Sequence, residues 1–154
     1  MVNGDEAGVQ QYLTFILNGE EYGVDILRVQ EIKGWDTVTP IPNTPCYIKG
    51  VINLRGAVVP IVDLRERFGL DNIEYGATTV VIVLKVISGD SDRTVGIVVD
   101  AVSDVHNVGE EEMKPSPDFG NSIDTNFISG LATVNEKMVI IIDIDRLLNE
   151  SSDF

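Results

Sequence analysis

Apolar residues along this chain fall into short runs, rich in Val and Ile and separated by glycine, asparagine and proline. Branching at Cβ limits the rotamers of Val and Ile and packs well on a pleated surface, so such runs mark strands. Gln11 to Leu17 reads as a strand, Asn18-Gly19 as a hairpin turn, and Glu20 to Asp25 as the antiparallel return. Ile26 to Arg28 turn the chain, and Val29 to Ile32 form a third strand with Val29 and Glu31 on one face. Gly34 to Pro45 carries Pro40, Pro42 and Pro45, so it is an extended connection, with a helical turn expected over Pro45 to Lys49. Gly50 to Leu54 and Ala57 to Val62 make a hairpin with Arg55 and Gly56 at its tip, where glycine accepts the positive φ of a tight turn. Pro60 donates nothing to a ladder, so the strand is an edge or bulged there. Asp63 caps a short helix, Leu64 to Phe68, that Gly69 stops.

Gly69 to Ala77 is polar and glycine-punctuated, an exposed connection. Thr79 to Ile87 is nearly all apolar, Ser88 to Asp92 is a polar turn, and Thr94 to Val99 returns; Asp100 to Val105 follows as a further strand. Gly109 to Asn126 is acidic and proline-interrupted. Phe127 to Val134 and Lys137 to Ile144 form a last hairpin about Asn135-Glu136, ahead of a helical turn at Asp145 to Asn149. Residues 1–10 form a flexible lead-in, 11–150 the folded part, and 151–154 a tail.

The pattern repeats. Tyr47 to Phe68 laid over Phe127 to Leu148 pairs Ile48, Gly50, Val59, Ile61 and Asp63 with identical residues 80 positions later. Tyr22 to Ile32 overlays Val95 to Val105 at an offset of 73, pairing Gly23 with Gly96, Val29 with Val102 and Glu31 with Asp104. Two copies of a small β unit predict an all-β fold with a few short helices, two five-stranded barrels packed side by side. The expected division puts the first barrel at about 11–70, with a return of the C-terminal segment, and the second at about 78–148. A groove along their boundary is the default binding site.

Composition narrows the function. The net charge of −14 repels phosphate backbones, which disfavours nucleic acid and anionic membrane and favours basic patches on other proteins. One cysteine, Cys46, and one histidine, His106, rule out an internal disulfide and a Cys/His zinc site. No leader-like start and no apolar run of about 18 residues is present, so a cytoplasmic location is expected. No phosphate-binding glycine loop occurs. Arg55 reads from spacing alone as a solvated turn residue before a recognition residue, and Glu31 and Asp104 as a polar strand face before an acid/base pair. Asp143-Ile144-Asp145 is better a strand-to-helix cap, like Asp63, than a metal motif. Glu110 to Glu112 is an acidic turn, and Cys46 lacks a neighbouring positive charge. Nothing here makes an enzyme, and no cofactor or metal is expected.

Gly50-Val51-Ile52-Asn53-Leu54-Arg55-Gly56, the spaced Pro60 and Asp63-Leu64-Arg65 resemble the signature of the CheW family, bacterial chemotaxis adaptors that link transmembrane chemoreceptors to the histidine kinase CheA. The resemblance extends through Glu21 to Ile32, Asn43-Thr44-Pro45 and Val95 to Val105, and so from about Gln11 to Asn149. It implies two SH3-like barrels and a receptor's cytoplasmic tip lying in the groove between them, at Val29, Glu31, Gly50, Arg55, Val80, Gly96, Val102 and Val105. It also implies a kinase contact on the first barrel, whose residues are unknown, and an isolated monomer that joins larger arrays at membrane receptor clusters. Setting the resemblance aside, a small-ligand-binding or hydrolytic protein using the same groove is the alternative.

Overall fold

The computed structural model describes residues 9–70, 74–117 and 126–149. Most of the expected lead-in and all of the expected tail lie outside that range, as do parts of the 69–77 and 109–126 connections. The fold is all-β with few short helices: two curled sheets, each containing a five-stranded SH3-like unit. In chain order the strands are β1 (Val9–Leu17), β2 (Glu20–Asp25), β3 (Val29–Gly34), β4 (Ile48–Leu54), β5 (Ala57–Asp63), β6 (Val80–Ser88), β7 (Ser91–Val99), β8 (Ala101–Gly109), β9 (Met113–Lys114), β10 (Ile128–Val134) and β11 (Lys137–Ile142). Helices α1 (Leu64–Arg67) and α2 (Ile144–Asn149) follow β5 and β11. The helical turn expected over Pro45 to Lys49 is only a turn, closed by Ile48 N donating to Pro45 O at 3.0 Å, and β4 starts at Ile48.

One sheet has the order β8-β1-β2-β11-β10-β9, the other β3-β6-β7-β5-β4. Neither barrel is therefore a contiguous half of the chain, and the division expected between residues 70 and 78 separates repeats, not barrels. One sheet takes β1 and β2 from the first repeat and β8 to β11 from the second, and the other takes β3, β4 and β5 from the first and β6 and β7 from the second, because Ile26–Arg28 carries the chain from β2 into the opposite sheet and Asp100 carries it back from β7. The repeat survives in the register. Ile61 lies opposite Gly96 where β5 pairs parallel with β7, and Ile141 lies opposite Gly23 where β11 pairs parallel with β2. Asp63 N donates to Tyr47 O at 2.7 Å, and Asp143 N donates to Phe127 O at the same distance. Pro60 is tolerated in an interior strand because β5 meets β7 only over Ile61, Val62 and Asp63, leaving no ladder partner for it on that side.

The core has three layers. Val59, Ile61, Val81, Val83 and Val98 fill one barrel, and Tyr12, Val108, Ala132, Val139 and Ile141 the other. Between the sheets lies a larger cluster drawn from both, with Leu13, Phe15, Leu17 and Val24 facing Ile82, Leu84, Val95 and Ile97, and α2 supplying Leu147 and Leu148. This explains the nearly unbroken apolar run in β6: Val81 and Val83 point into their barrel while Ile82, Leu84 and Val86 point into the shared layer. Each fully buried aliphatic side chain contributes about 1.5–3 kcal/mol, so the boundary is as much core as the barrels.

Candidate functional site

The eight residues singled out for the groove fall into three groups. Glu31 and Arg55, 24 positions apart, form an ion pair that joins β3 to the β4–β5 hairpin tip across the mouth of one barrel. The tip is tight: Leu54 pairs with Ala57, and Arg55 (φ 53°) and Gly56 (φ 89°) are both left-handed, as a two-residue hairpin loop requires. Asn53 Oδ1 accepts from Gly56 N at 2.9 Å and stiffens it. The Arg55 side chain is 73 % exposed against 26 % for Glu31, so the guanidinium is presented outward while its partner is seated in the strand. A bulge between Val29 and Glu31 re-aims Glu31; the same bulge recurs where β8 meets β1, opposite Leu13 and Phe15.

Val29, Val80 and Val102 are half-buried and pack against the shared core layer, at the margin of the boundary between sheets. Val105 is 41 % exposed on β8. Gly50 and Gly96 are buried and offer no side chain to a partner. A Cβ on Gly50, at φ 142°, would stand 2.1 Å from Thr39 O, and one on Gly96 would stand 2.7 Å from Ile61 Cδ1. These glycines let backbone and core approach. The boundary is filled by core, so an apolar groove there is confined to its margin. Two surface cavities lie elsewhere. One of about 210 Å³ is lined by Tyr12, Asp25, Arg28, Ser129, Asp143 and Asp145 among others, and one of about 500 Å³ by Val9, Tyr12, Val108, Glu110 and Met113 among others.

Asp63 and Asp143, considered as strand-to-helix caps, make those caps. Asp63 Oδ1 accepts from Arg65 N at 3.0 Å as the cap of α1, and Asp143 Oδ1 accepts from Arg146 N at 3.2 Å in α2. Glu112 Oε1 accepts from Gly109 N at 2.8 Å within the acidic turn, Cys46 is exposed and free, and His106 sits half-buried on β8 opposite Tyr12. Among the described residues no group of three or more His, Cys, Asp and Glu is placed to hold a metal, and no helix is long and apolar enough to cross a membrane.

Two charged clusters were not anticipated. Arg65, 3 % exposed, binds the fully buried Asp63 through Nε and Nη2, each at 2.9 Å, and binds Asp100 through Nη1 at 2.8 Å. Tyr75 Oη donates to Asp63 at 2.5 Å, its ring lies against Trp35 with centroids 4.3 Å apart and planes tilted by 31°, and it carries the Arg65 guanidinium 4.8 Å above its ring. Burial opposes the Arg65 charge, but the bonds from both aspartates outweigh it and raise the pKa above the ordinary arginine value. Burial, then the bond to Asp63, raises Tyr75 above the usual phenol range. The second cluster is a two-pronged pair, Arg28 Nη1 and Nη2 to Asp145 Oδ1 and Oδ2, both 2.7 Å, with Ile87 N donating to Asp145 Oδ1 at 2.8 Å. The bond to Asp145 raises Arg28; at Asp145, burial pushes upward but the bonds from Arg28 and Ile87 prevail and lower the carboxyl. Nothing local announces these clusters, since Arg65–Asp100 and Arg28–Asp145 join residues far apart in sequence.

Comparison with known proteins agrees with this picture. The family model described as a CheW-like domain matches residues 11–152. The chain is 49% identical to the chemotaxis protein CheW of Klebsiella aerogenes over 146 residues, 95% of this chain and 85% of that one. It is 38% identical to the chemotaxis protein CheW of Rhizobium meliloti over 91% of this chain and 88% of that one. The crystal structure of the scaffolding protein TtCheW from Thermoanaerobacter tengcongensis superposes with a TM-score of 0.80 at 36% identity, covering 90% of this chain and 91% of that one. A matching family model over nearly the whole chain, near relatives of the same length class and the same fold place this protein in the CheW family of chemotaxis scaffold proteins.

Proposed function

We propose that this protein is a non-enzymatic adaptor that couples transmembrane chemoreceptors to the histidine kinase CheA in the cytoplasm, at receptor clusters. What carries the reading is the meeting of Glu31 with Arg55 at one barrel mouth, within the stretch that bears the family signature. Val29, Val80, Val102 and Val105 form the apolar margin that takes the ridge of a receptor's helical hairpin. Glu31 and Arg55 set its register, which apolar contact alone does not define. Gly50 and Gly96 act on that margin through the backbone. The kinase binds a face of one barrel, so the receptor site spans both sheets while the kinase site spans one. Receptor state then biases kinase state through the shared complex.

The test is co-capture with purified components: this protein, a receptor cytoplasmic-tip fragment and the CheA regulatory domain from the same organism. One ternary complex, with kinase activity dependent on this protein, is the expected result. Binding of neither partner, or turnover of a small substrate by the isolated chain, would overturn the reading and favour the ligand-binding or hydrolytic alternative.

A further inference from the structure

Each of the two passages that carry the chain from one sheet to the other is held to a helix by an arginine–aspartate pair. At the passage from β7 to β8, Asp100 Oδ1 takes Arg65 of α1, while Asp100 Oδ2 accepts from Asn18 N in the β1–β2 turn at 2.8 Å. Thr78 Oγ1 donates to Asp100 O at 2.9 Å, and Tyr75 holds the strap 74–79 against Trp35 and Asp63. At the passage from β2 to β3, Arg28 takes both oxygens of Asp145 in α2 and reaches Lys85 O at 3.3 Å. Val102 lies two residues beyond Asp100, and Val29 directly follows Arg28. Val80 directly follows the strap, whose Thr79 O accepts from Trp35 N at 3.1 Å.

Buried and half-buried ion pairs contribute less to stability than well-packed apolar residues of the same size, but they are directional. Apolar packing between two sheets tolerates small slides; a directional ion pair at each crossing, two-pronged at Arg28–Asp145 and single at Arg65–Asp100, does not. We infer that the Arg65–Asp100 and Arg28–Asp145 bridges are positioning elements for the receptor site: they fix one sheet against the other, and with it the spacing of Val29, Val80 and Val102. This rests on the receptor reading above. Because the kinase face belongs to one barrel, the bridges separate the two partners: receptor binding depends on them and kinase binding does not.

The experiment measures binding of full-length Asp100→Asn, Arg28→Gln and Tyr75→Phe to the receptor-tip fragment and, separately, to the CheA regulatory domain, with thermal unfolding alongside. Wild-type binding of the receptor fragment is the control, and its failure would strike the receptor reading itself. Given that control, Asp100→Asn and Arg28→Gln are expected to weaken receptor binding about tenfold, within the usual range of coupling between sites. Kinase binding is expected to change less than about twofold, and Tyr75→Phe, which keeps the ring on Trp35, to fall between wild type and Asp100→Asn for the receptor. Unchanged receptor binding in folded variants, or equal loss of both partners, would overturn the inference.

Discussion

Arg65 and Asp145 occupy the same position in the two repeats, 80 residues apart, and carry opposite charges. Each reaches a chain crossing from the first turn of its helix, Arg65 to Asp100 and Asp145 to Arg28, so the molecule builds the same brace twice with its polarity reversed. Identity matching cannot find such a repeat, because the conserved property is the pairing and not the residue.

The Arg28–Asp145 brace predicts an acid-limb signature. Asp145 is held below its ordinary carboxyl value of 3.8, so its contribution to stability is fully present above that value and is lost as pH falls through the lower folded-state value. Wild type is expected to exceed Asp145→Asn in stability by the largest margin above the ordinary carboxyl value of 3.8, with the two converging as pH falls below it. Urea unfolding at a series of pH values checks this, and a constant difference across the range would show that the charge of Asp145 is not what holds the brace.

Gly96 is a packing position. A Cβ there would press on Ile61 Cδ1 at 2.7 Å and Val81 Cγ1 at 2.8 Å. Gly96→Val is expected to destabilise the fold by about 2 kcal/mol or more through overpacking. Receptor and kinase binding should then fall together as the folded fraction falls, which a melting curve run beside the binding assays would reveal. Its repeat partner Gly23, where a Cβ would stand 2.9 Å from Ile141 Cδ1, is expected to behave alike.

For Arg55, the outward guanidinium and exposed setting predict function without stability. Arg55→Ala should cost less than about 1 kcal/mol, the ordinary range of a surface ion pair, yet impair the ternary complex and kinase activation. Arg55→Lys keeps the charge but not the planar fork. A lysine variant matching wild type in kinase activation would show that charge alone is read at this position.

Val105→Glu should weaken the receptor more than the kinase, because it puts a carboxylate on the apolar margin proposed to take the receptor. Val105 is exposed enough that the charge stays hydrated in the free protein and is desolvated only by the partner. Binding titrations against each partner separate the two; equal losses would place Val105 outside the receptor site.

The sequence by itself determined the hairpins, the repeat and the strands other than β9, which lies in the stretch expected to be an acidic connection. Asn18-Gly19 and Arg55-Gly56 mark their turns through local backbone sterics, and the Val- and Ile-rich runs mark strands before any partner strand is known. It also singled out Glu31 and Arg55, though not that they meet. Only the tertiary structure decided which strands share a barrel, because a strand's pattern says that a face is buried and not against what: β3 reads the same whether it stays beside β2 or crosses to β6. The interleaving also set Gly96 opposite Ile61, and brought Arg65 to Asp100 and Arg28 to Asp145. Those pairings exist only once the two repeats interleave, since each bridge joins residues from different repeats whose separation in the chain carries no local signal.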